Sequence, residues 1–185
     1  MTLNFDTHCM RFQKTPLKDS FLIEPEIIRD ERGFFMRTFC EKEFERENLN
    51  VKFVQCSLSF NAKKGTVRAF HFQIEPYAEA KLIRCLRGAL WDVIIDLRAT
   101  SSTFQRHFAV RLDAENGHSL YIPKGFAHGF QTLEDSTEVF YQISAPFEPT
   151  AARGIRFDDP FFNIAWPLPV SVISKKDQSH PLYHP

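Results

Sequence analysis

From about residue 51 the chain is cut into short apolar runs separated by turn residues, and this punctuation restricts the fold more than any other feature. Strand-like runs fall at 51–60, 66–74, 81–86, 89–97, 106–112, 118–122, 127–132 and 137–143, with breaks such as Asn61 to Gly65 and Asn116-Gly117 between them. Phe is heavily used, at 20 residues, which suits pleated, aromatic-lined surfaces. Many short strands with little helix predict an all-β sandwich or barrel. Upstream, Phe21 to Ile28 reads as a strand interrupted by Pro25, Asp30-Glu31-Arg32-Gly33 as a turn, and Phe34 to Phe39 as a second strand. Glu41 to Asn48 is the convincing helical window, and a short helical turn is expected near Ser174 to Gln178. Residues 1–20 are expected to begin with a ragged tail. The segment from Phe157, rich in Pro and aromatics, is expected to wrap the strands. No repeat or linker divides the chain, so one domain over 1–185 is expected.

Composition removes several function classes. Lys+Arg and Asp+Glu are balanced at 23 each, so no surface for nucleic acid can be argued from charge, while a local anion pocket stays open. No apolar run reaches the ~18 residues of a membrane span. The N-terminus, Met-Thr-Leu-Asn-Phe-Asp, has no apolar core of a signal peptide. Cys9, Cys40, Cys56 and Cys85 are scattered without a Cys-x-x-Cys pair, which points to reduced thiols and a cytoplasmic protein.

The stretch Gly65 to Gly88 carries the first chemistry. His71 and Lys81 sit on flanks that otherwise read as buried sheet, and Gly117, Pro123, Gly125 and His128 echo the spacing further on. These two stretches resemble the paired motifs of the cupin jelly roll, which implies an all-β, double-sheet fold with few short helices. In that motif Gln73 stands in place of the second histidine, and Lys81 in place of the glutamate. An ammonium has no lone pair for a metal, and an amide is a poor replacement for imidazole, so no metal is expected. A fixed cation in a dry pocket suits a developing oxyanion, and a histidine beside it suits proton abstraction near neutral pH.

A longer set of matches is more specific. It comprises Asp30-Glu31-Arg32-Gly33-Phe34-Phe35, Phe53-Val54-Gln55, Arg68-x-x-His71-Phe72-Gln73, Lys81-Leu82-Ile83-Arg84-Cys85, Ile122 to Phe130, Tyr141, Gly154 to Pro160, Ile164-Ala165-Trp166-Pro167 and Ser174-Lys175-Lys176-Asp177. In order and spacing these resemble the dTDP-4-dehydrorhamnose 3,5-epimerase family. The resemblance implies inversion at C3 and/or C5 of a nucleotide-linked 4-keto-6-deoxy sugar through an enolate, with no cofactor. It implies His71 as base, Asp177 as the carboxylate orienting it, Tyr141 as acid on the opposite face and Lys81 near the ketone oxygen. It implies Arg32, Phe35, Gln55, Arg68, His128 and Lys176 as substrate contacts. It also implies a homodimer in which the segment around residues 30–39 crosses to the partner's site.

Departures from the family pattern cluster on recognition. Ala69 replaces a glycine beside the base; its methyl implies either that no positive φ is needed there or that the strand is shifted. Arg37 replaces a glutamate near the nucleobase, Ser57 an asparagine, and Phe147 a tyrosine. The expectation is an intact catalytic set with altered recognition. The alternatives are a C3-only or C5-only epimerase on a non-dTDP sugar and a catalytically silent sugar-nucleotide-binding cupin. On the residues alone, Tyr141 reads as packing, Asp177 as a solvated charge, Arg32 as a turn ion pair and His128 as a core histidine. His8, His107, His118, His180 and His184 are read as ordinary, and Asp158 and Asp159 as turn formers.

Overall fold

The computed structural model describes residues 9–185; the expected N-terminal tail and His8 fall on residues outside them. The elements in order are β1 (Arg11–Lys14), β2 (Phe21–Glu24), β3 (Ile27–Asp30), β4 (Gly33–Met36), α1 (Glu41–Arg46), β5 (Gln55–Asn61), β6 (Thr66–Gln73), β7 (Lys81–Arg87), β8 (Ala89–Asp96), β9 (His107–Asp113), β10 (Ser119–Ile122), β11 (Phe126–Thr132), β12 (Thr137–Ile143), β13 (Ala152–Gly154), β14 (Val172–Ile173) and α2 (Lys175–Gln178). One sheet runs β1-β2-β10-β7-β12-β5 and the other β13-β6-β11-β8-β9, with β14 parallel to β6. This is the expected all-β, cupin-type double-sheet jelly roll with few short helices.

Pro25 does more than interrupt one strand. It lacks an amide proton for a ladder, and the chain changes sheets there. β2 joins the large sheet, while β3 pairs with β4 in a separate hairpin. Phe34 and Phe35 on that hairpin are exposed. The strands β1, β13 and β14 were not legible in the sequence; each is four residues or fewer.

Alternation along each strand sorts the side chains into layers. Ile83, Cys85, Leu90, Ile94, Leu120, Phe130 and Val139 meet between the two sheets in one apolar cluster. Val67, Ala69, Phe70, Val93, Ile95 and Ala127 point out from the second sheet, where Ile155, Phe162 and Trp166 cover them. Leu82 and Tyr121 point out from the first sheet onto Phe44 of α1 and Met10. The outer layers leave the inner faces free to hold polar groups at the end of the sandwich that the apolar cluster does not fill. Among the described residues no helix is long and apolar enough to cross a membrane.

The pairing of β6 with β11 is irregular at the position that matters. His71 lies opposite His128, and Arg68 opposite Phe130, so three steps on β6 match two on β11. The extra residue is a bulge, which resets the alternation. Arg68 and His71 are three apart and would otherwise face opposite sides, yet both line the same cavity. Ala69 inside this bulge is fully buried and has no positive φ. Its methyl lies 2.5 Å from where a side chain on Gly129 would begin, so β11 carries the glycine that this contact requires.

Gly129→Ala is therefore expected to destabilise the fold by about 1–3 kcal/mol, the cost of overpacking a closed core. Combining it with Ala69→Gly should restore part of the loss, since contacts to the Ala69 backbone and Phe70 ring remain. Urea denaturation of both variants checks this; equal losses in the single and double variants would contradict it.

Candidate active site

A cavity of about 800 Å³ opens between the two sheets. His71 projects into it from β6. Its Nε2 lies 3.0 Å from Oδ1 of Asp177; the His71 side chain is 43% exposed and that of Asp177 only 7%. Local structure explains how a residue far along the chain arrives there. β14 runs beside β6, pairing Ile173 with Val67, and delivers α2 to the same strand. Ser174 caps α2, its Oγ accepting the Asp177 N–H at 3.0 Å. Burial pushes the Asp177 carboxyl up, but the hydrogen bond and charge of His71, with Ser174 and the Ala69 backbone, outweigh it and hold the carboxyl below its ordinary value. An ionised carboxylate accepts, so His71 Nε2 carries the proton of this hydrogen bond, and in the neutral ring Nδ1 is the nitrogen with the lone pair.

Across the cavity the other sheet supplies Tyr141 and Lys81. Tyr141 on β12 shares a hydrogen bond of 3.1 Å with Ser59 Oγ, and burial pushes its phenol up to about 12. Lys81 begins β7 at the open end of the inward row Lys81, Ile83, Cys85. Its Nζ lies 3.1 Å from Glu79 Oε1 and donates to the His71 backbone oxygen at 3.2 Å. An ammonium has three N–H donors, so one remains for a ligand. Gln73, at the second cupin histidine position, is spent on structure. Its amide donates to Tyr77 O and Pro146 O and accepts from the Glu148 N–H.

The cavity also gathers Gln55, Ser57, Arg68, His128, Phe147 and Lys176. Arg68 Nε is held by Asn61 Oδ1 at 2.8 Å, and Gln55 Oε1 accepts the Phe147 N–H at 3.0 Å. Three predicted residues are not brought to it. Arg32 pairs with Asp30 across the β3–β4 turn. Phe35 is exposed on β4. Arg37 donates to Glu43 Oε1 at 2.9 Å beside α1. All three lie on or next to the projecting hairpin.

Some residues escaped the sequence reading. His128 Nε2 lies 2.6 Å from Asp92 Oδ1, and both are buried. A lone carboxylate inside the apolar run Ala89 to Ile95 was the available signal. Glu79 and Ser59 had none. His180, read as ordinary, lines the cavity with its ring 5.6 Å from that of His71. Burial, then the neighbouring His71 charge, pull its pKa below the ordinary value.

Comparison with known proteins adds three findings. The family model described as dTDP-4-dehydrorhamnose 3,5-epimerase matches residues 14–184. A dTDP-4-dehydrorhamnose 3,5-epimerase from Sinorhizobium fredii is 43% identical over 93% of this chain and 89% of its own. Among solved structures, the Bacillus anthracis dTDP-4-dehydrorhamnose 3,5-epimerase with TDP and PPi bound superposes with a TM-score of 0.92 at 38% identity, over 95% of this chain and 100% of that one. A dTDP-6-deoxy-D-glucose-3,5-epimerase from Legionella pneumophila, in complex with dTDP-4-keto-L-rhamnose, gives 0.88 at 36% identity, over 94% and 93%.

The environment of Tyr141 has a measurable consequence. In the folded state it keeps its proton to about 12, whereas an unfolded tyrosine releases it near 10. The folded state then binds more protons in that window, so stability is full below about 10 and falls as pH rises toward 12. The difference in tyrosinate absorbance between the unmodified protein and Tyr141→Phe is expected to stay flat through pH ~10. A difference that titrates there contradicts the assignment.

Proposed function

The chain belongs to the dTDP-4-dehydrorhamnose 3,5-epimerase family, and from that premise we propose that its cavity inverts carbon centres next to the ketone of a nucleotide-linked 4-keto-6-deoxy sugar. The observation that carries the reading is the placement of a His71–Asp177 pair and a protonated Tyr141 on strands of the two different sheets, with buried Lys81 lining the same cavity. A flat sugar ring held between the walls meets a base on one face and an acid on the other.

The 4-ketone acidifies the hydrogens on C3 and C5. His71 Nδ1 takes one of these protons, and Asp177 supports the imidazolium that results. Charge moves onto the ketone oxygen, where the third N–H of Lys81 meets it. Tyr141, raised to about 12, stays protonated at neutral pH and returns a proton to the opposite face. Arg68, Lys176 and His128 fit a diphosphate, with Gln55, Ser57 and Phe147 as the remaining contacts. The protein works as a cytoplasmic homodimer in this reading. The exposed β3–β4 hairpin carries Arg32 and Phe35, with Arg37 just beyond, into the partner's cavity, which accounts for their distance from their own. The whole chain acts as one domain.

His71→Ala is expected to lower solvent deuterium exchange at C3 and C5 by about 10²–10⁴-fold, the worth of a positioned base. Asp177→Asn should lose less, and Tyr141→Phe should slow inversion while leaving some exchange from the His71 face. NMR in D₂O reads all three. A His71→Ala variant that exchanges at the unmodified rate removes His71 from the role. For the nucleobase, Arg37 offers donors where the family's glutamate accepts a thymine N–H. Calorimetric titration is therefore expected to find dTDP bound no more tightly than UDP, CDP or GDP; a clear dTDP preference would restore the family's own nucleotide.

A further inference from the structure

His180 takes no part in the reaction just described, yet the fold is shaped around it. Gly154 on β13 pairs in register with His71. A side chain on Gly154 would begin 2.3–2.4 Å from three atoms of the His180 ring, so the imidazole occupies the space that this glycine leaves. The ring is thereby seated edge-on to His71 and 3.7 Å, Nε2 to Oδ1, from Asp177. His180 Nε2 is buried and has no hydrogen-bond partner among the described residues. A buried imidazole nitrogen without a partner, facing a carboxylate and a second imidazole, is what a metal ligand looks like before the metal arrives.

We infer that His71, Asp177 and His180 form a site for a divalent transition-metal ion, zinc in the first place, whose occupancy stops the epimerase reaction. One ligand atom from each residue lies within 4.8 Å of the others. Tetrahedral zinc with bonds of 2.0–2.1 Å sets its ligand atoms about 3.3 Å apart. The separations at Asp177 Oδ1, 3.0 Å to His71 and 3.7 Å to His180, lie on either side of that value. Two imidazoles and a carboxylate are a donor set that zinc accepts, and the fourth position faces the cavity, where water enters. The site lies on the wall built by α2 and β6. Of the cupin metal positions it uses only that of the first histidine, His71; Gln73 and Lys81 stand at the second histidine and the glutamate.

Inhibition follows from the tautomer. In the metal-free pair His71 carries its proton on Nε2 and offers Nδ1 as base. A metal on Nε2 requires that lone pair, so the ring proton moves to Nδ1. The nitrogen that faces the sugar then has nothing with which to accept a proton. No net proton is gained or lost, and no redox change is involved. The inhibitory half of this inference rests on the epimerase reading; the binding half does not.

The test separates the two. Co²⁺ is titrated into the intact protein without substrate and followed by its visible absorption, with Zn²⁺ then used to displace it. One ion per chain with a tetrahedral spectrum is expected. His180→Gln, which refills the space over Gly154, and Asp177→Asn should each weaken binding by at least about tenfold, since even loss of an outer contact costs that much. Binding that is absent in the unmodified protein, or that survives both substitutions because exposed thiols such as Cys9 or Cys56 hold the ion, overturns the site. The second readout is the ratio of deuterium exchange with and without Zn²⁺ within each protein. Zn²⁺ should suppress exchange in the unmodified enzyme, reversibly on adding a chelator, and suppress it far less in His180→Gln. Equal suppression in both overturns the inhibitory half alone.

Discussion

The register shift between β6 and β11 is the constraint on which the site depends. A regular antiparallel pair would send Arg68 and His71 to opposite faces of the sheet. One extra residue on β6 turns both inward, and His128 opposite His71 follows. The shift is possible because the two strands are close-packed on small residues, Ala69 against Gly129. β6 is flanked by β11, β13 and β14, so its distortion is held from both edges. The same strand therefore fixes His71, brings an arginine to the cavity and receives the helix that carries Asp177.

A sandwich of two sheets suits stereochemical inversion for a plain geometric reason. Groups on the two inner faces line the cavity from opposite sides. His71 comes from one sheet, Tyr141 and Lys81 from the other. Their surroundings set their states: hydrogen bonds and a neighbouring imidazole hold the Asp177 carboxyl low against the pull of burial, and burial keeps Tyr141 protonated. Lys81 is held by Glu79 and the His71 backbone oxygen with a donor to spare.

The strands from β5 to β12 were legible because turn residues separate short apolar runs; the structure keeps those bounds to within one residue except at β5, which begins at Gln55 rather than at 51. The layering was harder to foresee. Pro25 marked a break, but a change of sheet depends on which partner strands lie near. β1, β13 and β14 are too short for periodicity to register. At the site, His71 and Lys81 stood out as polar residues in apolar strands. Asp177 reads as a solvated charge in Lys-Lys-Asp-Gln and acquires meaning only through the family pattern and β14's pairing with β6. Asp92, Glu79 and His180 depend on contacts between distant segments. His180 in particular owes its place to Gly154, a relation with no trace in sequence spacing.

The central claim is that this cavity makes and quenches an enolate at carbons next to a ketone. The direct measurement is NMR of the unmodified enzyme in D₂O with a series of nucleoside-diphosphate 4-keto-6-deoxyhexoses. The account predicts that solvent deuterium enters C3, C5 or both, together with inversion at the same carbon, for at least one sugar. Inversion without deuterium entry, or no exchange with any sugar in the series by a folded enzyme, would contradict it.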